Sequence, residues 1–177
     1  MAGRSSFSQD IFQVASDLQM TARDTAKIKQ LLHERSVAAL GTLHAGAPYV
    51  SMVPYAIAKD GTGLIIHVSR LSSHTKDMLA DSRVSVLIME AESGGTSALA
   101  LPRVSIQGTA FEVPSDAPEL PGLRAVYLER FPEASQMFGF ADFSLFKIQP
   151  GTVRVVAGFG QAFTMSAESF KQALLIC

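Results

Sequence analysis

The sequence predicts a mainly β fold: six or seven short antiparallel strands forming a closed or partly open barrel, with helices filling gaps at its periphery. Three observations carry this expectation. Short apolar runs recur between clusters of Gly, Pro, Asp and Ser. Most of the connections are of hairpin length. There is no strict strand–helix–strand alternation of the kind a doubly wound sheet requires.

Residues 1–20 are mixed in character and read as a tail or a short helix, and residues 21–177 as a single barrel domain. Thr21 to Arg35 reads as a helix. Thr21 suits the N-cap, Asp24 completes a capping-box pattern, and Ile28, Leu31 and Leu32 form one apolar stripe. Ser36–Leu43 is a buried strand, His44–Pro48 a turn, and Tyr49–Ala58 a second strand in which Pro54 calls for an edge or a bulge. Lys59–Gly63 carries the Asp-Gly hairpin signal, and Leu64–Ser69 is the third strand.

Ser73–Asp81 is long enough for about two helical turns, with Met78 and Leu79 directed inward. Arg83–Glu90 is the fourth strand, and Ala91–Ala100, with Gly94-Gly95, a loop. Pro102–Val113 is the fifth strand, with Val104, Ile106 and Gly108 on one side and Ser105, Gln107 and Thr109 on the other. A helix follows at Gly122–Arg130, ended by Phe131-Pro132, with another helical turn at Glu133–Phe138. Asp142–Gln149 and Val153–Ala157 are the last strands, joined by Pro150-Gly151, and a C-terminal helix begins at about residue 166.

Composition narrows the function classes. Hydrophobic residues make up 47% of the chain and charged ones 18%, which suggests apolar surface covered by a partner. The net charge of −1 offers no basic excess for nucleic acid and no polybasic cluster for a membrane. One cysteine, Cys177, rules out a disulfide framework, and the start of the chain lacks the apolar core of a signal peptide. A cytoplasmic location is the resulting expectation.

The segment Val68–Leu79, "VSRLSSHTKDML", sets hydroxyls and cations where a strand hands over to a helix. Hydroxyls, backbone N–H groups and cations are what a phosphate needs, and a helix N-terminus supplies part of this. A capped helix with a solvated polar connection gives the same pattern, so the residues alone leave both readings open. Arg103, Ser105 and Gln107 form a polar row on one strand face. The four histidines, His33, His44, His67 and His74, show no metal-ligand spacing, and no nucleophile elbow or carboxylate pair stands out. No catalytic residue and no metal site are assigned.

The order "APYVSMVPYAI", "DGTGLIIHVSRLSSHTKDMLADSRVSVLI" and "PRVSIQGTAFEV" resembles the FMN-binding split β-barrel superfamily, that of pyridoxamine 5′-phosphate oxidase, over about residues 22–160. The later Arg-Phe-Pro, Asp-Phe-Ser-Leu-Phe and Gly-Phe-Gly-Gln-Ala resemble its haem-utilisation branch. The resemblance implies a homodimer with FMN at its interface and a small-molecule substrate. Ser69, Ser72, His74 and Lys76 would hold the phosphate, Ser51, Met52 and Val68 would line the flavin ring, and Arg103 would reach it from the partner, with Gln107 on the same face. An FMN-dependent oxidoreductase is the main expectation. A haem-binding or haem-degrading protein, with ligation by His44, His67 or His74, is the first alternative, and a non-catalytic flavin-binding module the second. Tyr49 and Pro54 stand where the oxidase has an arginine and a lysine, so pyridoxamine phosphate itself is not implied as substrate.

Overall fold

A computed structural model describes residues 20–92 and 97–175. The proposed N-terminal tail, part of the Gly94-Gly95 loop and Cys177 lie outside these residues. The elements run α1 (Ala22–Glu34), β1 (Val37–His44), β2 (Ala47–Pro54), β3 (Ala56–Ile57), β4 (Leu64–Ser69), α2 (Ser73–Ala80) and β5 (Arg83–Met89). After them come β6 (Arg103–Glu112), α3 (Leu120–Arg130), β7 (Phe143–Gly158), β8 (Gln161–Ser166) and α4 (Ala167–Leu175), with short 3₁₀ turns before β6 and after α3.

All eight strands belong to one antiparallel sheet in the order β2-β1-β5-β6-β7-β4-β3, with β8 on the outside of β7. The path starts on β2 and ends on β3, so the barrel is split rather than closed. The predicted antiparallel barrel with peripheral helices is present. Among the described residues the strand count is eight, because three features differ from the sequence reading.

The first is a break. The expected strand Tyr49–Ala58 stops at Pro54 and resumes as β3. Pro54 has no N–H to donate, and Tyr55 turns fully inward, its hydroxyl donating to the Leu32 carbonyl at 2.8 Å. The second is β8, which lies in what reads as a turn followed by a helix. Gly158-Phe159-Gly160 instead makes a hairpin, with Gly160 at φ +72°. Pro150-Gly151 does not turn the chain either. It sits in a bulge of the 16-residue β7, where Gln107 faces Thr152 and Gly108 faces Pro150, leaving Gly151 unopposed. A Cβ at Gly108 would collide with the Gln149 carbonyl, so the bulge requires glycine there.

Helix α1 begins with the expected capping box: Thr21 Oγ1 accepts from the Asp24 N–H at 3.2 Å, and Asp24 accepts from the Thr21 N–H at 3.0 Å. Its stripe Ile28, Leu31 and Leu32 joins the barrel core with Leu40, Val53, Val86, Ile106 and Phe146. The strand faces alternate cleanly. On β5, Val84, Val86 and Ile88 are buried, while Arg83, Ser85 and Met89 are exposed. On α2, Met78 is buried as expected, but Leu79 is 52% exposed and points away from the barrel.

Candidate functional site

Cross-strand register decides which side chains share the outer face of the sheet. Ala39 lies opposite both Met52 and Leu87, Gly41 opposite both Val50 and Ser85, and Ser85 opposite Gln107. Their neighbours Leu40, Val86 and Ile106 are in the core, so this set faces outward. A hollow of about 650 Å³ is lined by Ala39, Gly41, Val50, Leu87, Tyr49 and Gln107, among others, and is mostly apolar. That volume is in the range of small-molecule sites. Around it, Val37, Val50, Met52 and Met89 leave an unusual amount of apolar surface uncovered, between 44% and 66% exposed.

Two corners flank this sheet. At the first, α2 packs against the end of β1. Asp77 is buried and accepts hydrogen bonds from Thr42 Oγ1 at 2.8 Å and from His44 Nδ1 at 2.8 Å. Burial disfavours its charge, but the bonds from His44 and Thr42 outweigh that and hold the carboxyl below its ordinary value. The turn Ala45-Gly46, with φ of 50° and 82°, is tighter than the expected His44–Pro48 connection. It ends β1 at His44, whose ring lies 5.8 Å from that of Tyr49.

At the second corner, β4 turns its other face to α3. His67 stacks on Phe138 with ring centroids 3.9 Å apart and planes 6° off parallel, with Tyr127 and Phe143 at its edges. Arg124 lies over the far aromatic, 4.7 Å from the Phe138 centroid. Burial, aided by Arg124, pushes the His67 pKa down to about 4.

The nine residues assigned from the resemblance divide among these places. Met52, Arg103 and Gln107 belong to the outer face, and the Arg103 guanidinium donates to the Leu101 carbonyl at 3.0 Å. Val68 is in the core and Ser51 lies opposite core Leu40, so what they offer a ligand on the outer face is main chain. Ser69 Oγ donates to the Asp142 carboxylate at 2.8 Å, and its carbonyl accepts from Thr75 Oγ1 at 2.7 Å. Ser72 precedes α2 without a side-chain capping bond. His74 Nε2 is enclosed without a partner, and Lys76 is exposed. The sequence reading missed the partnership of Thr42 and Asp77 with His44, and the carboxylate of Asp142 beside Ser69. These pairs are 33 to 73 residues apart, and no local spacing marks them.

A family model described as Pyridoxamine 5'-phosphate oxidase matches residues 24–157. The chain belongs to this family. Within the family, it is 28% identical to "Heme oxygenase HutZ" of Vibrio cholerae over 85% of this chain and 85% of that protein. It is also 36% identical to "Non-canonical heme oxygenase HOZ, chloroplastic" of Arabidopsis thaliana, over 73% of this chain but 38% of that one. Among solved structures, a heme binding protein from Mycobacterium smegmatis superposes with a TM-score of 0.75 at 27% identity, covering 88% of this chain and 62% of that one. HutZ from V. cholerae, titled a heme storage protein, gives 0.70 at 26%, covering 77% and 96%. The resemblance to the haem-utilisation branch of the family is thus supported by named relatives.

Proposed function

We propose that this chain is a haem-binding protein of the split-barrel family, holding haem on the outer face of the sheet and presenting it for oxidative cleavage. The observation that carries this reading is a near full-length match to a protein named as a haem oxygenase. The lining fits the macrocycle itself. The hollow offers an apolar surface, and Gln107 offers a polar group for a carboxylate at its edge, while Arg83 is held by Asp81 and no histidine is among the residues that line the hollow. Bound haem would supply iron redox chemistry. The chain's own part is to cover the macrocycle with Ala39, Val50 and Leu87 and to keep water from it. A second copy packed on Val37, Val50, Met52 and Met89 would complete that cover, and we propose a homodimer on this face.

FMN is the second reading, favoured by the family and by the exposed Lys76 beside Ser72 and Ser73 at the start of α2. Against it stands Asp142. Its carboxylate takes the Ser69 hydroxyl and sets a negative charge beside the position a phosphate would occupy.

One experiment separates the two: titration of the purified chain with haem and with FMN, followed by absorption. The expected result is a Soret band that saturates at one haem per chain or per dimer and decays under reductant and oxygen. Flavin binding with no Soret band would overturn the haem reading, and a Soret band that persists under reductant and oxygen would limit the protein to storage or transport.

A further inference from the structure

A second hollow, of about 490 Å³, lies at the His67 corner and shares no lining residue with the apolar hollow on the outer face. Its walls come from β4 and β7, from the end of β6 and the chain that leads into α3, and from α3 itself. His67, Phe138 and Phe143 give it an aromatic wall, and its volume is in the range of small-molecule sites.

The charged groups around it differ in what already holds them. Arg70 and Glu112 form an ion pair, and Arg70 Nε also donates to Ser144 Oγ at 3.1 Å. These two charges answer each other. His67 is 7% exposed and neutral at ordinary pH, and its Nδ1 has no partner. Arg124 touches only a ring: its Cζ lies 4.7 Å from the Phe138 centroid, with no carboxylate or carbonyl on its N–H groups among the described residues. Asp116, on the chain leading into α3, likewise has no donor or cation on its carboxylate among the described residues. One cation and one anion are therefore left to meet a ligand in an aromatic-walled hollow.

That set selects the chemistry of the ligand. A wholly apolar molecule would take water from both charges and return nothing. A simple anion would answer Arg124 and repel Asp116, and a simple cation would do the reverse. An aromatic zwitterion answers every group: its carboxylate takes the planar guanidinium fork of Arg124, its ammonium takes Asp116, and its ring packs on the aromatic wall.

We propose that the hollow at the His67 corner is a second binding site, for a small aromatic zwitterion of the amino-acid type, with Arg124 and Asp116 as the residues that recognise its two charges. The site stands apart from the haem face and does not depend on the haem reading.

The test is an NMR titration of the full chain, read on the ring resonances of His67 and able to follow weak binding. The zwitterions are L-phenylalanine and 4-(aminomethyl)benzoate, which carry their two charges close together and far apart. Benzoate and benzylamine carry one charge each. At least one zwitterion should bind saturably, and about tenfold or more tightly than either single-charge ligand. Arg124→Gln should remove most of that advantage while leaving benzylamine binding as in wild type. Asp116→Asn should also remove it while leaving benzoate binding as in wild type. Binding retained in each case shows that the hollow is still formed, and circular dichroism checks the fold. Saturable binding of neither zwitterion would overturn the proposal. So would a zwitterion held no better than benzoate or benzylamine, or one whose affinity neither variant changes.

Discussion

His44 and His67 both sit on strands of the same barrel, and their surroundings lead to opposite properties. At the His44 corner a buried carboxylate fixes one nitrogen and leaves a half-exposed ring. At the His67 corner the ring has no hydrogen-bond partner for Nδ1 and lies against Phe138, Phe143 and Tyr127. The first arrangement orients the imidazole and leaves part of it open to solvent. The second makes it a flat core side chain that stays neutral because charging it would put a cation in an apolar pocket. The difference teaches that a histidine's role is set by what faces its two nitrogens. The apolar strand around His67 hints at burial, whereas nothing near His44 in the chain discloses Asp77.

The largest expected effect comes from titrating the buried ring. The folded pKa of His67 is about 4, below the ordinary 6.5, so its neutral form stabilises the fold. That contribution is fully present above pH 6.5 and is lost as pH falls from 6.5 toward 4, by at most about 3 kcal/mol at 1.36 kcal/mol per unit. Denaturant unfolding of wild type and His67→Phe across this range should show wild type losing stability relative to the variant as the pH drops. A flat difference would show that His67 is not held neutral and would end the contrast with His44.

The next effect comes from removing the stacked ring. Phe138→Ala should cost about 2 kcal/mol, less than the roughly 3–5 kcal/mol of a fully buried phenylalanine because Phe138 is partly exposed. By admitting water it should also raise the His67 pKa, as followed by NMR, while leaving the His44 ring resonances in place. Movement of both rings would mean the two corners are coupled.

Arg124→Ala should have the smallest effect. Losing a partly exposed cation–π contact should cost about 0.5–1 kcal/mol. His67 should titrate slightly higher without the neighbouring charge. A downward shift in the same NMR titration would contradict the electrostatic role given to Arg124.

Much of the barrel was legible because strand periodicity is local. Val84, Val86 and Ile88 alternate with Arg83, Ser85 and Leu87, and the burial pattern of β5 follows that alternation. The capping box of α1 was legible for the same reason, since its partners are three residues apart. The irregularity at Pro54 was legible from the proline itself, but the inward turn of Tyr55 and the bulge at Gly108 were not. Each depends on a distant group, the Leu32 carbonyl in one case and the Gln149 carbonyl in the other. Strand β8 was missed because Gln161–Ser166 has a weak apolar pattern and pairs only at the outside of β7.

The site divides in the same way. Arg103 and Gln107 could be put on one strand face from the two-residue repeat, and cross-strand register then shows Met52, named from the resemblance, on the same side of the sheet. The Ser69 hydroxyl was expected to serve a phosphate, and only the fold discloses that Asp142, 73 residues away, accepts it.

By itself, then, the sequence determined the strand-rich class, the apolar faces and the family, all of which follow from short-range periodicity and contiguous motifs. The tertiary structure decided which imidazole is held by a carboxylate and open to solvent and which is enclosed by aromatic rings. That choice depends on a carboxylate from α2 reaching the end of β1 and on a phenylalanine beyond α3 covering β4. Such contacts join residues that are far apart in the chain, so they exist only once the chain has folded.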